Sequence, residues 1–215
     1  MISITCSRLE AVRNNPIAYG QLLASNDGKK SGGTYGMLAC FQEAAKPVHA
    51  GELTVHAAVK NLINKFSRFQ DNEQNQARQK KLLNQFVKYF DNVRKQKLEW
   101  ADGKHKINWQ LLPDAKLTGI TPWVLKNDKA YHSFLFTETN FPWQQQLRFP
   151  LFQQYLVDNN IDTTANKMQV GIYSLSDSTF QTKNFTLSEL NAAIDETSSV
   201  IKIVYDSYSI KKKKN

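Results

Sequence analysis

The sequence predicts an α/β (α+β) fold: a central mixed β-sheet flanked by helices, with an N-terminal helical layer. Three observations predict it. Apolar residues recur at helical spacing through most of the first hundred positions. The period then shortens to two between "LEW" at Leu98 and "FLFT" at Phe134. After that, helix, hairpin and helix signals follow one another to the end, an order that layers helices on a sheet. With 215 residues, 41% of them hydrophobic and 22% charged, the chain can bury a core without staples.

The elements follow in order. "SITCSRLEAVRNNP" reads as a strand entry capped by Thr5 or Ser7, then a helix, with Ser7 and Glu10 spaced as a capping box. Pro16 restricts Asn15 and ends or kinks that helix. "ASNDGKKSGGTYG", Ala24 to Gly36, is rich in turn residues and reads as a mobile loop; its glycines do not form the phosphate-binding pattern Gly, four residues, Gly-Lys-Ser/Thr. Helical material runs from Met37 to about Phe69, with Pro47 at the start of one helix or at a break. Leu53, His56, Val59, Leu62, Ile63 and Phe66 fall at helical spacing. Asp71 is the expected N-cap of a long helix whose narrow stripe is Leu82, Phe86, Tyr89, Phe90 and Val93.

Asp102-Gly103, between alternating arms, predicts a hairpin that pairs Trp100 with Trp109. Two more strands are expected at about Leu117–Leu125 and Ala130–Thr137. "WQQQLRFPLFQQYLVDNN" returns to helix, with Pro150 awkward inside it. A hairpin turning at Ser176-Asp177-Ser178 and a helix capped by Thr186 or Ser188 close the chain. The expected organisation is one domain over residues 1–210, with a helical insertion at about 47–98 and a basic disordered tail at 211–215.

The order resembles the RecB-like branch of the PD-(D/E)XK nuclease superfamily. "SRLEAVRNNPIAYGQLL" is similar to that branch's first helix, with Asn15-Pro16 in place of Cys-Pro. "GELTVHAAVKNLINKF" looks like its Gly-x-x-x-His helix, one residue longer between Gly51 and His56. "LTGITPWV" has the Gly119 of a Gly-x-x-Asp strand, with Pro122 where the Asp belongs. "FLFTET" places Phe136 and Glu138 at the Asp and Lys of Asp-x-Lys. "RFPLFQQYL" has Arg148 and Phe152 where a Gln-x-x-x-Tyr helix is expected. The resemblance implies a restriction-endonuclease-like core and a place in a bacterial or phage DNA-processing or defence system. It also implies lost chemistry. Hydrolysis in that fold uses Mg²⁺ or Mn²⁺ on hard oxygen ligands and a lysine against the developing charge. Pro122 and Phe136 supply no side-chain oxygen, and Glu138 reverses the sign. No catalytic residue and no cofactor are therefore expected; Mg²⁺ or Mn²⁺ would matter only to a residual nuclease, in which His56 would be a relic.

The formal net charge is +9, which favours polyanionic partners, although Lys211 to Lys214 supply four of the nine. The cations expected to face nucleic acid are Arg8, Arg13, Lys126, Lys129 and Arg148, with DNA as the partner. A protein partner for the long polar helix and for "NFPWQQQLRFP" is the alternative. His49, His56, His105 and His132 show no metal spacing; His132 is expected to face solvent. Cys6 and Cys40 match no zinc or redox motif and read as buried thiols. No apolar run approaches the roughly 20 residues that span a bilayer, and no signal-peptide pattern opens the chain, so a cytoplasmic protein without membrane contact is expected.

Overall fold

The computed structural model describes residues 1–25, 36–159, 161 and 163–213. The glycine-rich loop expected at 24–36 falls mostly outside them; Ala24 and Ser25 end a helix, and Gly36 caps the next one.

β1 (Ile2–Thr5) leads through a 3₁₀ turn, Cys6–Arg8, into α1 (Leu9–Asn14). Ser7 and Glu10 do not form a capping box: Arg8 occupies the N-cap and makes no side-chain cap. Glu10 instead accepts the Leu147 N–H at 2.6 Å, 137 residues along the chain. Asn15 leaves helical geometry ahead of Pro16, as a pre-proline residue does, and α2 (Pro16–Ser25) follows. α3 (Met37–His49), α4 (Val55–Phe66) and α5 (Glu73–Lys95) make up the helical layer. Pro47 neither starts a helix nor breaks one; it sits in the last turn of α3. The cap of α5 is Asn72, one residue beyond the expected Asp71, and its side chain accepts the Asn75 N–H at 2.9 Å.

The expected hairpin at Asp102-Gly103 does not form. β2 (Glu99–Asp102) pairs with β5 (Val124–Lys126), whereas β3 (Lys106–Leu112) pairs with β4 (Ala115–Ile120) across Pro113-Asp114. The Asp102 carboxylate takes up the local bonding, accepting from the Gly103 N–H at 2.7 Å and lying 2.9 Å from His105 Nε2, so the segment bends between sheets. Trp100 stacks near His49 and Trp123, while Trp109 packs on Tyr155. The single strand expected over 117–125 is two, split by Thr121-Pro122-Trp123.

The result is a three-stranded sheet, β1-β4-β3, beside a five-stranded sheet, β2-β5-β6-β7-β8. β6 is Tyr131–Thr137, β7 Met168–Ser174 and β8 Thr179–Lys183. β6 and β7 run parallel, joined by α6 (Arg148–Asn159), and every other pair in the larger sheet is antiparallel. Pro150 falls in the first turn of α6, where a missing N–H costs nothing. α7 (Leu187–Lys212) opens with a full capping box between Thr186 and Glu189. Lys211 and Lys212 continue α7 and Lys213 is its C-cap, so this part of the tail is ordered.

Strand alternation gives the larger sheet two buried faces. Leu125, Phe134, Phe136 and Tyr173 point to α3, α4 and α5; Val124, Val170 and Ile172 share a core with the small sheet, α6 and α7. Cys6 and Cys40 are buried free thiols, and burial pushes the Cys6 thiol up to about 12. Among the described residues no helix is long and apolar enough to cross a membrane.

Candidate functional site

The larger sheet has two working ends. One is where β5 begins and β6 finishes, and it holds the residues that the sequence aligned with a nuclease site. Val124 opposes Ser133, so Pro122 comes level with the last residues of β6. Pro122 is buried and lines a cleft. Phe136 is 6% exposed and belongs to an aromatic cluster: its ring centroid lies 5.1 Å from that of Phe41, 4.9 Å from Tyr89 and 5.6 Å from Trp123. Glu138 is engaged by Arg78 of α5, whose Nε and Nη2 both donate to its carboxylate. That bond, with the carboxylate's charge, holds the Arg78 guanidinium above its ordinary value.

His56 is exposed in the first turn of α4, on a different helix from His49. A magnesium or manganese ion has no fit here. Two of the aligned positions carry no side-chain oxygen, and the third is occupied by a guanidinium. Among the described residues, no three His, Cys, Asp or Glu side chains gather to hold a metal ion. Beyond Glu138, a polar network ties the loops: Ser174 Oγ donates to Asn140 at 2.9 Å, and Asn140 Nδ2 donates to Asp177 at 2.7 Å. The Asn140 bond, with those of Ser174 and Ser176, holds the Asp177 carboxyl below its usual range.

The histidines divide by burial. His49 Nε2 lies 2.8 Å from the Tyr89 hydroxyl, and desolvation brings its pKa down to about 4. His132, expected at the surface, is buried on the α3–α5 face of β6; its Nε2 has no partner among the described residues, and burial lowers its pKa.

The five cations expected to face nucleic acid do not gather in one place. Arg8 is exposed on the turn after β1. Arg13 is committed inside the fold: its guanidinium pairs with Glu196 of α7 at 2.5 Å and donates to the Gln145 carbonyl at 3.1 Å. Arg148 lies between the Phe141 and Phe149 rings, 5.6 and 5.1 Å from their centroids, with a buried Nε that has no hydrogen-bond partner among the described residues. Desolvation lowers its pKa against the pull of Glu10. Both arginines thus surround Glu10 and brace α1 against α6 and α7.

Of the five, Lys126 and Lys129 lie with other lysines that make no ion pair among the described residues. They occupy the opposite end of the sheet, about 20 Å from Phe136 along β6. There a polar concavity of about 620 Å³ is lined by Lys97, Lys126, Lys129, Lys167, Glu99, Asp128 and Tyr131, among others. Register builds it. Glu99 opposes Lys126, which brings in Lys97; Tyr131 opposes Met168, which brings in Lys167. Asn127 Oδ1 accepts from the N–H groups of Lys129 and Ala130 at 3.0 and 3.1 Å and shapes the turn. Lys97 takes φ +53° just past the end of α5, a left-handed position where glycine is the ordinary choice. No sequence signal marked Lys97 or Lys167, because their proximity comes from strand pairing. No protein-family model matches the chain, and no curated protein matches it.

Proposed function

We propose that the chain is a noncatalytic, DNA-associated protein, a pseudo-nuclease working as a subunit of a bacterial or phage DNA-processing or defence system. We assign its phosphate contacts to the lysine basin at the β5–β6 turn. The observation that carries this reading is the convergence of four exposed lysines against two carboxylates in one concavity. Lys97 adds weight: a side chain in a left-handed position costs about 1 kcal/mol relative to glycine, and strain of that kind clusters at functional sites. The pseudo-nuclease part rests on the resemblance, and is supported by the mixed order β2-β5-β6-α6-β7 and by Phe136 serving as core.

The test is fluorescence anisotropy with labelled single- and double-stranded DNA at low and near-physiological salt. A chain ending at Ile210 and a variant with Lys97, Lys126, Lys129 and Lys167 all changed to Ala run alongside. Binding is expected to survive truncation, to fall steeply with salt, and to lose up to about 3 from its log–log salt slope in the fourfold variant. Loss with the tail, or indifference to the four lysines, refutes the basin. Metal-dependent DNA cleavage abolished by Glu138→Ala refutes the noncatalytic reading.

A protein partner is the second reading. It is favoured by Ile17 and Leu22 on α2 and Ile203 and Ile210 on α7, large apolar side chains left exposed on two helices that pack together.

A further inference from the structure

We infer that the cleft at the Pro122 end of the larger sheet binds a small molecule made of one planar aromatic ring bearing an anionic group. Its lining includes Gln42, Lys104, Ile120, Thr121, Pro122 and Trp123, and it holds about 150 Å³. Its walls are mainly apolar, with Gln42, Lys104 and Thr121 as the polar residues, and a cavity of about 150 Å³ accommodates one benzene ring. Ile120 at its edge is 59% exposed, so covering it with an apolar body would add favourable burial.

The wall is preformed. The Thr121 N–H donates to the His105 carbonyl at 2.9 Å, and Thr121 Oγ1 accepts the His105 N–H at 2.9 Å. Pro122 stiffens the next bond. Two hydrogen bonds thus tie Thr121 to His105 at the wall of the cleft, so a ligand need not organise that segment.

Lys104 supplies the charge preference. Its Nζ donates to Gln42 Oε1 at 3.2 Å and lies 5.5 Å from the Trp123 ring centroid. It makes no ion pair among the described residues. The carboxylate whose charge acts on it, Glu43, accepts from Lys65 Nζ at 2.6 Å, and Lys46 opposes its effect on Lys104. The side chain as a whole is exposed, yet desolvation around the ammonium lowers its pKa. A partly desolvated cation beside a mainly apolar slot, met among the described residues by an amide oxygen and a π-face, gains most from an anion delivered on an apolar body. This site is independent of the lysine basin, which occupies the far end of the same sheet.

The test is an NMR and tryptophan-fluorescence titration of the full chain with benzoate and phenyl phosphate. Benzyl alcohol serves as a neutral ring and acetate as an anion without one. Benzoate is expected to bind in the millimolar range or tighter, at least tenfold better than either control. Lys104→Met, at an exposed position, is expected to weaken benzoate about tenfold and to leave benzyl alcohol unchanged. Ile120→Glu is expected to weaken benzoate further, with circular dichroism showing an intact fold. Equal binding of benzoate and benzyl alcohol, no saturable binding, or a Lys104→Met variant that binds benzoate as before would each overturn the inference. Lys104 would then be a lysine lying over a tryptophan and nothing more.

Discussion

His49 shows how a single side chain couples this fold to pH. Its ring stacks within 6.2 Å of the Trp100 ring and shares a hydrogen bond with Tyr89, a fully buried phenol whose own pKa burial raises. Desolvation takes His49 from 6.5 to about 4. The folded pKa lies below the unfolded one, so between pH 6.5 and about 4 the unfolded chain binds more protons. The neutral ring's contribution is therefore complete above pH 6.5 and is lost as pH falls through that window. At roughly 1.4 kcal/mol per pKa unit, and allowing for the residue's partial exposure, the loss is about 2 kcal/mol. Urea unfolding from pH 7 to 4 is expected to show this decline, and His49→Gln to flatten it. The slope that remains belongs in part to His132, lowered by the same cause. An unchanged slope in the variant would mean that His49 stays solvated.

Among the elements, α2 and α7 pack tightly along each other. Gly20 sits where the two cross: a Cβ there would collide with the Val204 carbonyl oxygen and lie 2.8 Å from Ser207 Cβ. Helix propensity alone favours Ala over Gly by about 1 kcal/mol. The collision involves backbone that cannot swing aside, and overpacking of that kind costs about 1–3 kcal/mol. The second effect wins, so Gly20→Ala is expected to destabilise the chain by about 1–2 kcal/mol in chemical denaturation. A stabilised variant would show that the helices can separate freely. Glu10 acts on the same scale. It caps α6 from α1 and pairs with Arg13 at 3.5 Å, and Arg13 reaches on to α7, so three helices are joined through one carboxylate.

The larger sheet organises the whole molecule because both of its faces are buried, one under the helical layer and one under the small sheet, α6 and α7. Phe136 lies on the first face among rings from α3, α5, β6 and β7. Phe136→Ala is expected to cost about 3–5 kcal/mol. Phe136→Asp, combined with Pro122→Asp and Glu138→Lys, is expected to lower the denaturation midpoint at least as far and to restore no metal-dependent cleavage. The carboxylate would enter an aromatic core, and the new lysine would face Arg78. A folded triple variant that cuts DNA would overturn this account of the core.

The sequence by itself determined the class of fold, the helical layer, the Leu82–Val93 stripe of α5, the β7–β8 hairpin and a capped start to α7, though not which of Thr186 and Ser188 caps it. Each is written in local period or cap chemistry within a few residues. Strand partners were decided only in the tertiary structure. Asp102-Gly103 is a sound turn, yet Trp100 and Trp109 are half-buried against opposite layers, and packing of two indoles outweighs a turn preference. The fate of charge was decided there too. Arg13 and Arg148 look no different in sequence from Lys126 and Lys129, but Glu10, Glu196 and two phenylalanine rings claim the arginines, while strand register leaves the lysines together at a solvent-facing edge. Local spacing encodes an element, whereas a site is a meeting of elements far apart in the chain, and only the packed sheet brings them together.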